Sequence, residues 1–205
     1  MEYVPQHLEE YAARFTTVHA DVFDRLREET SAFPNAGMSV GPLEGAFLSF
    51  MVSLARPRLV LEIGTFTGWS SIAMALALPD GGKVISCDVN EETTAIARRY
   101  AEQAGVGDRV QYMLGDARET VARLDGPFDL VFIDGVKSQY VDYYEAVLPK
   151  LADGGTIMAD NTLFGLADGE IAEHITRFNE HVRDDTRVEA TLVTIREGVT
   201  LIRRR

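Results

Sequence analysis

The sequence predicts an α/β protein with a doubly wound, seven-stranded, mostly parallel sheet that ends in an antiparallel hairpin. Strands alternating with helices form parallel sheets, and such an alternation runs through most of the chain. Short apolar runs occupy 58–63, 83–87, 109–113, 128–133 and 155–159, with helical patterns at 69–78, 91–104, 117–124 and 138–151. Two late runs, 188–195 and 198–204, lie too close together for a crossover helix, which predicts the hairpin.

The segment before the first strand is predicted to be helical. Apolar residues recur there at spacings of three and four, which indicates one amphipathic helix from Pro5 to about Glu29. The stripe consists of Leu8, Ala12, Phe15, Val18, Val22 and Leu26. Prolines and glycines interrupt the stretch 31–42, and Pro42 is placed to begin a second helix. A further helix is predicted near 168–183, before the hairpin.

Composition excludes several classes of function. The 205 residues are 46% apolar and 25% charged, as in soluble globular proteins. The net charge of −12 repels phosphate backbones, so we expect no nucleic-acid partner. The N-terminus lacks a continuous apolar stretch, so we expect neither a signal peptide nor a membrane span. A lone cysteine, Cys87, permits no internal disulfide and no Cys/His metal site, which predicts a reducing, cytoplasmic location.

A glycine turn follows the first predicted strand, in the stretch VLEIGTFTGWSS at 60–71. It does not fit a nucleoside triphosphate loop, because Trp69 and two serines follow Gly68 where that loop has lysine. It also departs from the GxGxxG pattern of dinucleotide sites, because three residues separate Gly64 from Gly68. Asp88, at the end of the second strand, is placed to accept hydrogen bonds from ribose hydroxyls. The turn therefore predicts a nucleoside ligand of another kind.

A second group of polar residues ends the fourth and fifth strands. Asp134 ends the fourth, and Asp160 and Asn161 end the fifth. Carboxyl ends of parallel strands share the edge where ligands bind, and clustered carboxylate and amide oxygens select a hard cation. We expect Mg²⁺, with Mn²⁺ or Ca²⁺ as alternatives. On spacing alone, the two aspartates could instead cap the helices or turns that follow.

Three motifs resemble the cofactor motifs of class I S-adenosylmethionine-dependent methyltransferases: EIGTFTGWS, CDVN at 87–90 and GDA at 115–117. The resemblance implies a Rossmann-like methyltransferase fold. It places Glu62 near the amino-acid end of the cofactor, Ser70 at its carboxylate and Asp88 at its ribose. Together with the more specific resemblance described next, it implies ten cofactor-binding residues: Met38, Val40, Glu62, Gly64, Phe66, Ser70, Asp88, Asp116, Ala117 and Asp134.

Further motifs, MSVGPLEGAFL, FIDGVKSQY, ADNTLF and EGVTLIRR, make the resemblance more specific. From about Met38 to Arg204 the chain is similar to the cation-dependent O-methyltransferases of the catechol and caffeoyl-coenzyme A type, in particular their short bacterial members. The resemblance implies that Asp134, Asp160 and Asn161 bind the metal. It makes Lys137 the general base, with Asp134 beside it in catalysis.

The same resemblance implies one O-methyltransferase domain over 1–205, in which 1–50 forms a helical region for substrate and dimer contacts and 56–205 forms the cofactor-binding core. It also implies a homodimer and a phenolic substrate with vicinal hydroxyls. A small phenol is favoured over a coenzyme A ester, which is a polyanion, because the acidic chain shows no dense basic cluster near the site apart from the pair Arg56 and Arg58. A metal-independent methyltransferase and a cofactor-binding protein without catalysis are the alternatives.

Overall fold

The computed structural model describes residues 3–17 and 21–205. Seven strands form one sheet: β1 (Leu59–Ile63), β2 (Lys83–Asp88), β3 (Val110–Leu114), β4 (Phe128–Ile133), β5 (Leu151–Ala159), β6 (Val188–Val193) and β7 (Val199–Arg204). Their order is β3-β2-β1-β4-β5-β7-β6. The first five pair in parallel, while β7 pairs antiparallel with both β5 and β6. The predicted fold class is confirmed.

Helices cover both faces of this sheet. They are α1 (Gln6–Arg14), α2 (Val22–Thr30), α3 (Gly41–Ala55), α4 (Trp69–Ala77), α5 (Glu91–Gln103), α6 (Ala117–Arg123), α7 (Tyr140–Val147) and α8 (Glu170–Asp184). One core packs α2 to α5 against the sheet, and a second core packs α6 to α8 against the other face. Both faces are therefore buried, which explains why the parallel strands read as continuous apolar runs.

The prediction of one leading helix is wrong, because the described residues contain two. Helix α1 ends at Arg14, and the Thr16 hydroxyl donates to the Ala12 carbonyl oxygen at 2.7 Å, which satisfies one of the last free carbonyls of that helix. Helix α2 begins at Val22. The apolar stripe continues across the break, so its spacing could not show the interruption. Val18, which belonged to that stripe, lies outside the described residues.

A second correction concerns the boundary between α7 and β5. The predicted helix 138–151 ends already at Val147, and Pro149 lies in a short 3₁₀ turn. Proline removes a backbone donor and clashes with the preceding helical turn, so the helix cannot continue through it. Strand β5 consequently begins at Leu151, four residues earlier than predicted.

Helix α3 has an unusual surface. The stretch Ala36–Ala55 is long and apolar enough to cross a membrane, and only 28% of its most apolar window is buried in this chain. Its inner side packs on α4, where Gly45 leaves space for the Trp69 ring: a Cβ at Gly45 would lie 2.5 Å from the indole nitrogen. Its outer side exposes Phe50 and Leu54, each about two-thirds accessible (64% and 65%).

Candidate active site

A cavity of about 640 Å³ opens at the carboxyl ends of the parallel strands. Strands β1 and β4 are neighbours there, and the chain proceeds outward from them in opposite directions, which creates the crevice where open α/β sheets bind ligands. The cavity brings together all the predicted site residues except Glu62. Those lining it are Met38, Val40, Gly64, Phe66, Ser70, Asp88, Asp116, Ala117, Asp134, Lys137, Asp160 and Asn161.

Close contacts with neighbouring parts of the chain require glycine at both ends of the glycine turn, Gly64 and Gly68. Gly64 has φ +100°, and a Cβ there would lie 2.1 Å from the Asp134 carbonyl oxygen. Gly68 has φ +94°, and its Cβ would lie 2.6 Å from the Ala97 Cβ atom. No larger residue fits either position unless the backbone moves. These glycines let β1 approach the end of β4 and let α4 approach α5.

Asp88 holds this turn in place. Its Oδ2 atom accepts hydrogen bonds from the backbone amides of Thr65 and Phe66, both at 2.8 Å, and its Oδ1 accepts from the Asn90 amide at 2.9 Å. Phe66 itself has φ +47°, a conformation that non-glycine residues rarely adopt. The predicted contact of Asp88 with the ribose stays a prediction. The structure shows a second role, because Asp88 fixes the glycine turn through these hydrogen bonds.

We expect Asp88→Ala to weaken binding of S-adenosylhomocysteine by about 1–3 kcal/mol, the usual contribution of charge-assisted hydrogen bonds. Isothermal titration calorimetry measures the change. Asp88→Asn is the matched variant, because an amide oxygen can still accept from the two turn amides while the charge is lost. If Asp88→Asn loses less binding free energy than Asp88→Ala, the difference measures the contribution of the hydrogen bonds to the turn, and the remaining loss measures the contribution of the charge. Unchanged affinity in Asp88→Ala would remove Asp88 from the binding site.

Glu62 lies behind the cavity wall and is fully buried in β1. It accepts a hydrogen bond from the Ser86 hydroxyl, which also lies 2.6 Å from the Thr65 hydroxyl oxygen. Its Oε1 atom has no hydrogen-bond partner among the described residues. Burial raises the pKa of Glu62 to about 8. The contact with the amino-acid end of the cofactor that the resemblance implies for Glu62 stays a prediction, because Glu62 does not line the cavity.

At the other end of the cavity, Lys137 is held between two side chains. Its Nζ donates to the Asp134 Oδ1 at 2.8 Å and to the Tyr140 hydroxyl at 2.7 Å. The Tyr140 hydroxyl lies 3.1 Å from the Asp160 carbonyl oxygen and 3.3 Å from the Ile133 carbonyl oxygen, to which it can donate. The lysine and aspartate side chains are only 16% and 18% exposed. Lys137 is therefore fixed in a largely dry corner of the cavity.

Asp160 and Asn161 adjoin this corner at the end of β5. Asn161 adopts φ +58°, and its backbone amide donates to the Asp160 Oδ1 at 2.6 Å. Asp160 is buried, which raises its carboxyl pKa to about 7, and the nearby Asp134 carboxylate acts in the same direction. Neither Asp134 nor Asp160 has a helix-capping hydrogen bond among those of the helices that follow. The capping alternative therefore has no support here.

Sequence reasoning missed two charged residues next to this group. Arg196, in the β6–β7 turn, donates to the Ser39 carbonyl oxygen at 3.0 Å, to the Val40 carbonyl oxygen and to the Glu44 Oε2 at 3.3 Å. Glu44, in the first turn of α3, is fully buried. The sequence marks Arg196 only as an arginine inside a hairpin turn, and it marks Glu44 only as a single acidic residue in an apolar helix.

The oxygen atoms at this edge fit a hard divalent cation. In residues 3–17 and 21–205, no three His, Cys, Asp or Glu side chains form a metal-binding group. The predicted set needs only two carboxylates, because its third member is the amide of Asn161. Carboxylate and amide oxygens are the donors that Mg²⁺ and Ca²⁺ prefer.

The strand order, with a cavity of about 640 Å³ at its switch point, agrees with the fold expected for an S-adenosylmethionine-dependent methyltransferase. A family model described as O-methyltransferase matches residues 13–205, and the chain belongs to this family. A caffeoyl-CoA O-methyltransferase of Stellaria longipes is 32% identical over 87% of this chain and 81% of its own length. Tricin synthase 2 of Oryza sativa subsp. japonica is 35% identical over 87% of this chain and 68% of its own length.

Solved structures agree with these relatives. A methyltransferase of Podospora anserina, solved with S-adenosylhomocysteine (SAH) bound, superimposes with a TM-score of 0.90 at 26% identity, covering 98% of this chain and 94% of its own. The O-methyltransferase of Bacillus cereus in complex with SAH gives 0.87 at 26% identity, covering 97% of each chain. The chain is therefore an enzyme, an S-adenosylmethionine-dependent O-methyltransferase of the caffeoyl-CoA type.

Proposed function

We propose that this O-methyltransferase requires a divalent cation and methylates one hydroxyl of a small phenol that carries two vicinal hydroxyls. The observation that supports this proposal is the position of Lys137. Its amine is hydrogen-bonded to Asp134 and lies beside Asp160 and Asn161 on the wall of the cofactor cavity. A base next to hard oxygen ligands suits a substrate that must lose a proton from an oxygen before that oxygen can be methylated.

In this proposal Asp134, Asp160 and Asn161 hold the cation. When bound, the cation stabilises the phenolate and orients the two adjacent oxygens. Lys137 accepts the proton from the phenol that is methylated, while its other hydrogen bonds, to Asp134 and Tyr140, keep the amine directed at the cavity. The phenol oxygen then forms its bond to the methyl carbon as the sulfur–carbon bond of S-adenosylmethionine breaks. Asp88 and the glycine turn hold the nucleoside throughout.

The charges of the cavity favour a small acceptor over a coenzyme A ester. Among its described lining residues the cationic side chains are Lys137 and Arg196. Both already pair with carboxylates, Asp134 and Glu44 respectively. The expectation that Arg56 and Arg58 lie near the site is wrong, because both precede β1 and so lie at the opposite end of the parallel strands. Several phosphates would need unpaired cations close by. The relative from Stellaria longipes is named for a coenzyme A ester, so the acceptor is the property in which we expect this chain to differ.

A screen of acceptors tests the proposal. Catechols, caffeate, its coenzyme A ester and dihydroxyflavonoids are incubated with S-adenosylmethionine and Mg²⁺, with and without EDTA. We expect methylation of at least one small vicinal diol, complete loss of turnover in EDTA, and recovery when Mg²⁺ is restored. Monohydroxylated analogues serve as matched controls and should stay unmodified, since they offer one oxygen to the cation. Turnover that persists in EDTA would instead identify a metal-independent methyltransferase.

We also expect a homodimer. The exposed Phe50 and Leu54 of α3 and the partly exposed Leu76 of α4 form an apolar surface beside a groove that Thr17 and Ile195 also line. Contiguous apolar surface of this kind usually marks an interaction site, and a second copy would cover it. Light scattering at micromolar concentration should give about twice the 22.7 kDa chain mass. Phe50→Glu should shift the particle toward the monomer, and a monomeric wild type would contradict the expectation.

A further inference from the structure

Arg196 has a backbone conformation that arginine rarely adopts. Its φ is +47°, in the left-handed region where glycine is accommodated without strain. Residues are kept in this region only where the surrounding contacts hold them, and they are frequent at ligand sites. An arginine at such a position indicates that its side chain contributes something that glycine could not.

The guanidinium of Arg196 joins the β6–β7 turn to the residues that lead into α3. Its Nη1 atom donates to the Ser39 carbonyl oxygen at 3.0 Å and to the Val40 carbonyl oxygen. The arginine side chain is only 21% exposed, so little water competes for these hydrogen bonds. Hydrogen bonds from a charged donor are also stronger than those between neutral groups. The backbone at Ser39 and Val40 is therefore fixed to the turn.

The same turn is anchored on its other side to the segment that follows β5. The Thr162 amide donates to the Gly198 carbonyl oxygen at 3.0 Å, and the Leu163 amide donates to the Glu197 carbonyl oxygen at 2.8 Å. A Cβ at Gly198 would lie 2.5 Å from the Leu163 Cγ atom, so the two segments are closely packed. The turn thus has a fixed position relative to β5, which a side chain of the turn can transfer to a neighbouring segment.

The segment that Arg196 holds forms part of the wall of the cofactor cavity. Met38 and Val40 line this cavity, and the resemblance implies that both contact the cofactor. The segment is loosely packed before Val40: Met38 is 58% exposed, and a Cβ at Gly37 would meet nothing within 4 Å. Its position therefore depends on how its backbone is anchored, and Arg196 supplies an anchor.

We propose that Arg196 is a positioning residue for cofactor binding: by holding the carbonyl groups of Ser39 and Val40, it keeps the wall formed by Met38 and Val40 in the position that contacts S-adenosylmethionine. The inference rests on the cofactor dependence of the enzyme and not on the proposed cation. Arg196 acts through the wall, so without its guanidinium the cofactor itself must bring the wall into place when it binds.

Isothermal titration calorimetry with S-adenosylhomocysteine tests this role in the full-length protein. Arg196→Gly removes the side chain and suits the left-handed backbone, so the turn should keep its shape. We expect the Kd to rise about tenfold or more, the value of one hydrogen bond from a charged donor. Arg196→Lys is the conservative variant, because its amine carries three donors, and its Kd should stay within about threefold of wild type. A lysine variant as weak as the glycine variant would overturn the proposal.

Hydrogen exchange followed by mass spectrometry separates positioning of the wall from general support of the fold. In ligand-free Arg196→Gly we expect faster amide exchange confined to peptides that cover 36–44. Faster exchange throughout the chain would show a structural role and overturn the proposal. Weaker cofactor binding with unchanged exchange would mean that Arg196 contacts the cofactor directly, which overturns it too, as does wild-type affinity in Arg196→Gly.

Arg203→Ala is the matched control. Arg203 lies in the same hairpin, pairs with Glu189 and is 68% exposed, so its loss removes one positive charge away from the cavity. We expect its Kd for S-adenosylhomocysteine to change by less than about twofold. Equal losses in Arg203→Ala and Arg196→Gly would show a general charge effect and overturn the role of Arg196. If Arg196→Gly does not fold, Arg196→Gln decides: weaker binding with faster exchange at 36–44 supports the proposal, and wild-type affinity overturns it.

Discussion

Asp160→Ala should abolish methyl transfer while leaving cofactor binding nearly unchanged. Asp160 is buried at the end of β5 and supplies one of the two carboxylates of the proposed cation site, whereas the turn that holds the nucleoside is anchored by Asp88. Loss of a bound cation removes several kcal/mol of transition-state stabilisation, which corresponds to about a thousandfold or more in rate. Turnover of the best acceptor in saturating Mg²⁺ measures the first effect, and calorimetry with SAH measures the second.

Asp160→Asn is the control for this experiment. It keeps an oxygen that can accept the Asn161 amide hydrogen bond, so the local backbone should be retained while the ligand charge is lost. We expect a large loss of turnover here too, with partial recovery at high Mg²⁺ concentration. Full turnover in Asp160→Ala at ordinary Mg²⁺ concentration would show that this carboxylate is not a metal ligand.

Lys137→Ala should lower kcat by about 10²–10⁴-fold, the usual contribution of a positioned general base. The cofactor and the cation should still bind, because the glycine turn, Asp160 and Asn161 are untouched. As the pH approaches the ionisation of the phenol itself, the variant should recover activity, since solvent then supplies the deprotonated acceptor. A pH series of kcat on one acceptor, for wild type and variant, measures both effects.

Lys137→Arg provides the charge-matched control. Arginine keeps the positive charge beside Asp134 but does not release its proton at accessible pH, so it cannot serve as a base. If the charge alone matters, this variant will be active; if proton removal matters, it will be as slow as Lys137→Ala. Full activity of Lys137→Ala at pH 7 would mean that Lys137 is not the base.

Much of the fold could be predicted because its signals are local. The two central strands, β1 and β4, are short and almost continuously buried runs, so β4 was predicted at its observed limits and β1 to within one residue. The leading helix was predicted wrongly because the helical spacing of apolar residues continues from α1 into α2, past the end of α1 at Arg14. The start of β5 was predicted too late because apolar residues continue at helical spacing past Pro149, where the helical structure in fact ends.

The site was predictable only where its residues fall at strand ends. Asp88, Asp134 and Asp160 occupy positions that any parallel sheet brings to one edge, so their proximity follows from the fold class. Glu44 and Arg196 are separated by 152 positions, and their contact depends on how α3 and the hairpin turn approach each other across the cavity. Each residue is conspicuous in its own segment, but nothing in the sequence indicates that the two come into contact.

The brace formed by Asp88 has a thermodynamic consequence for the catalytic cycle. Ordering a loop residue costs about 1–2 kcal/mol of conformational entropy, and here the Thr65 and Phe66 amides are fixed by a side chain of the protein itself, Asp88. Folding, and not ligand association, therefore bears this cost. The gain in binding free energy is the same for every ligand with this nucleoside. It therefore favours binding of S-adenosylhomocysteine as much as binding of S-adenosylmethionine, and it does not accelerate the chemical step. Rapid turnover then requires that the demethylated product be removed from the surroundings of the enzyme.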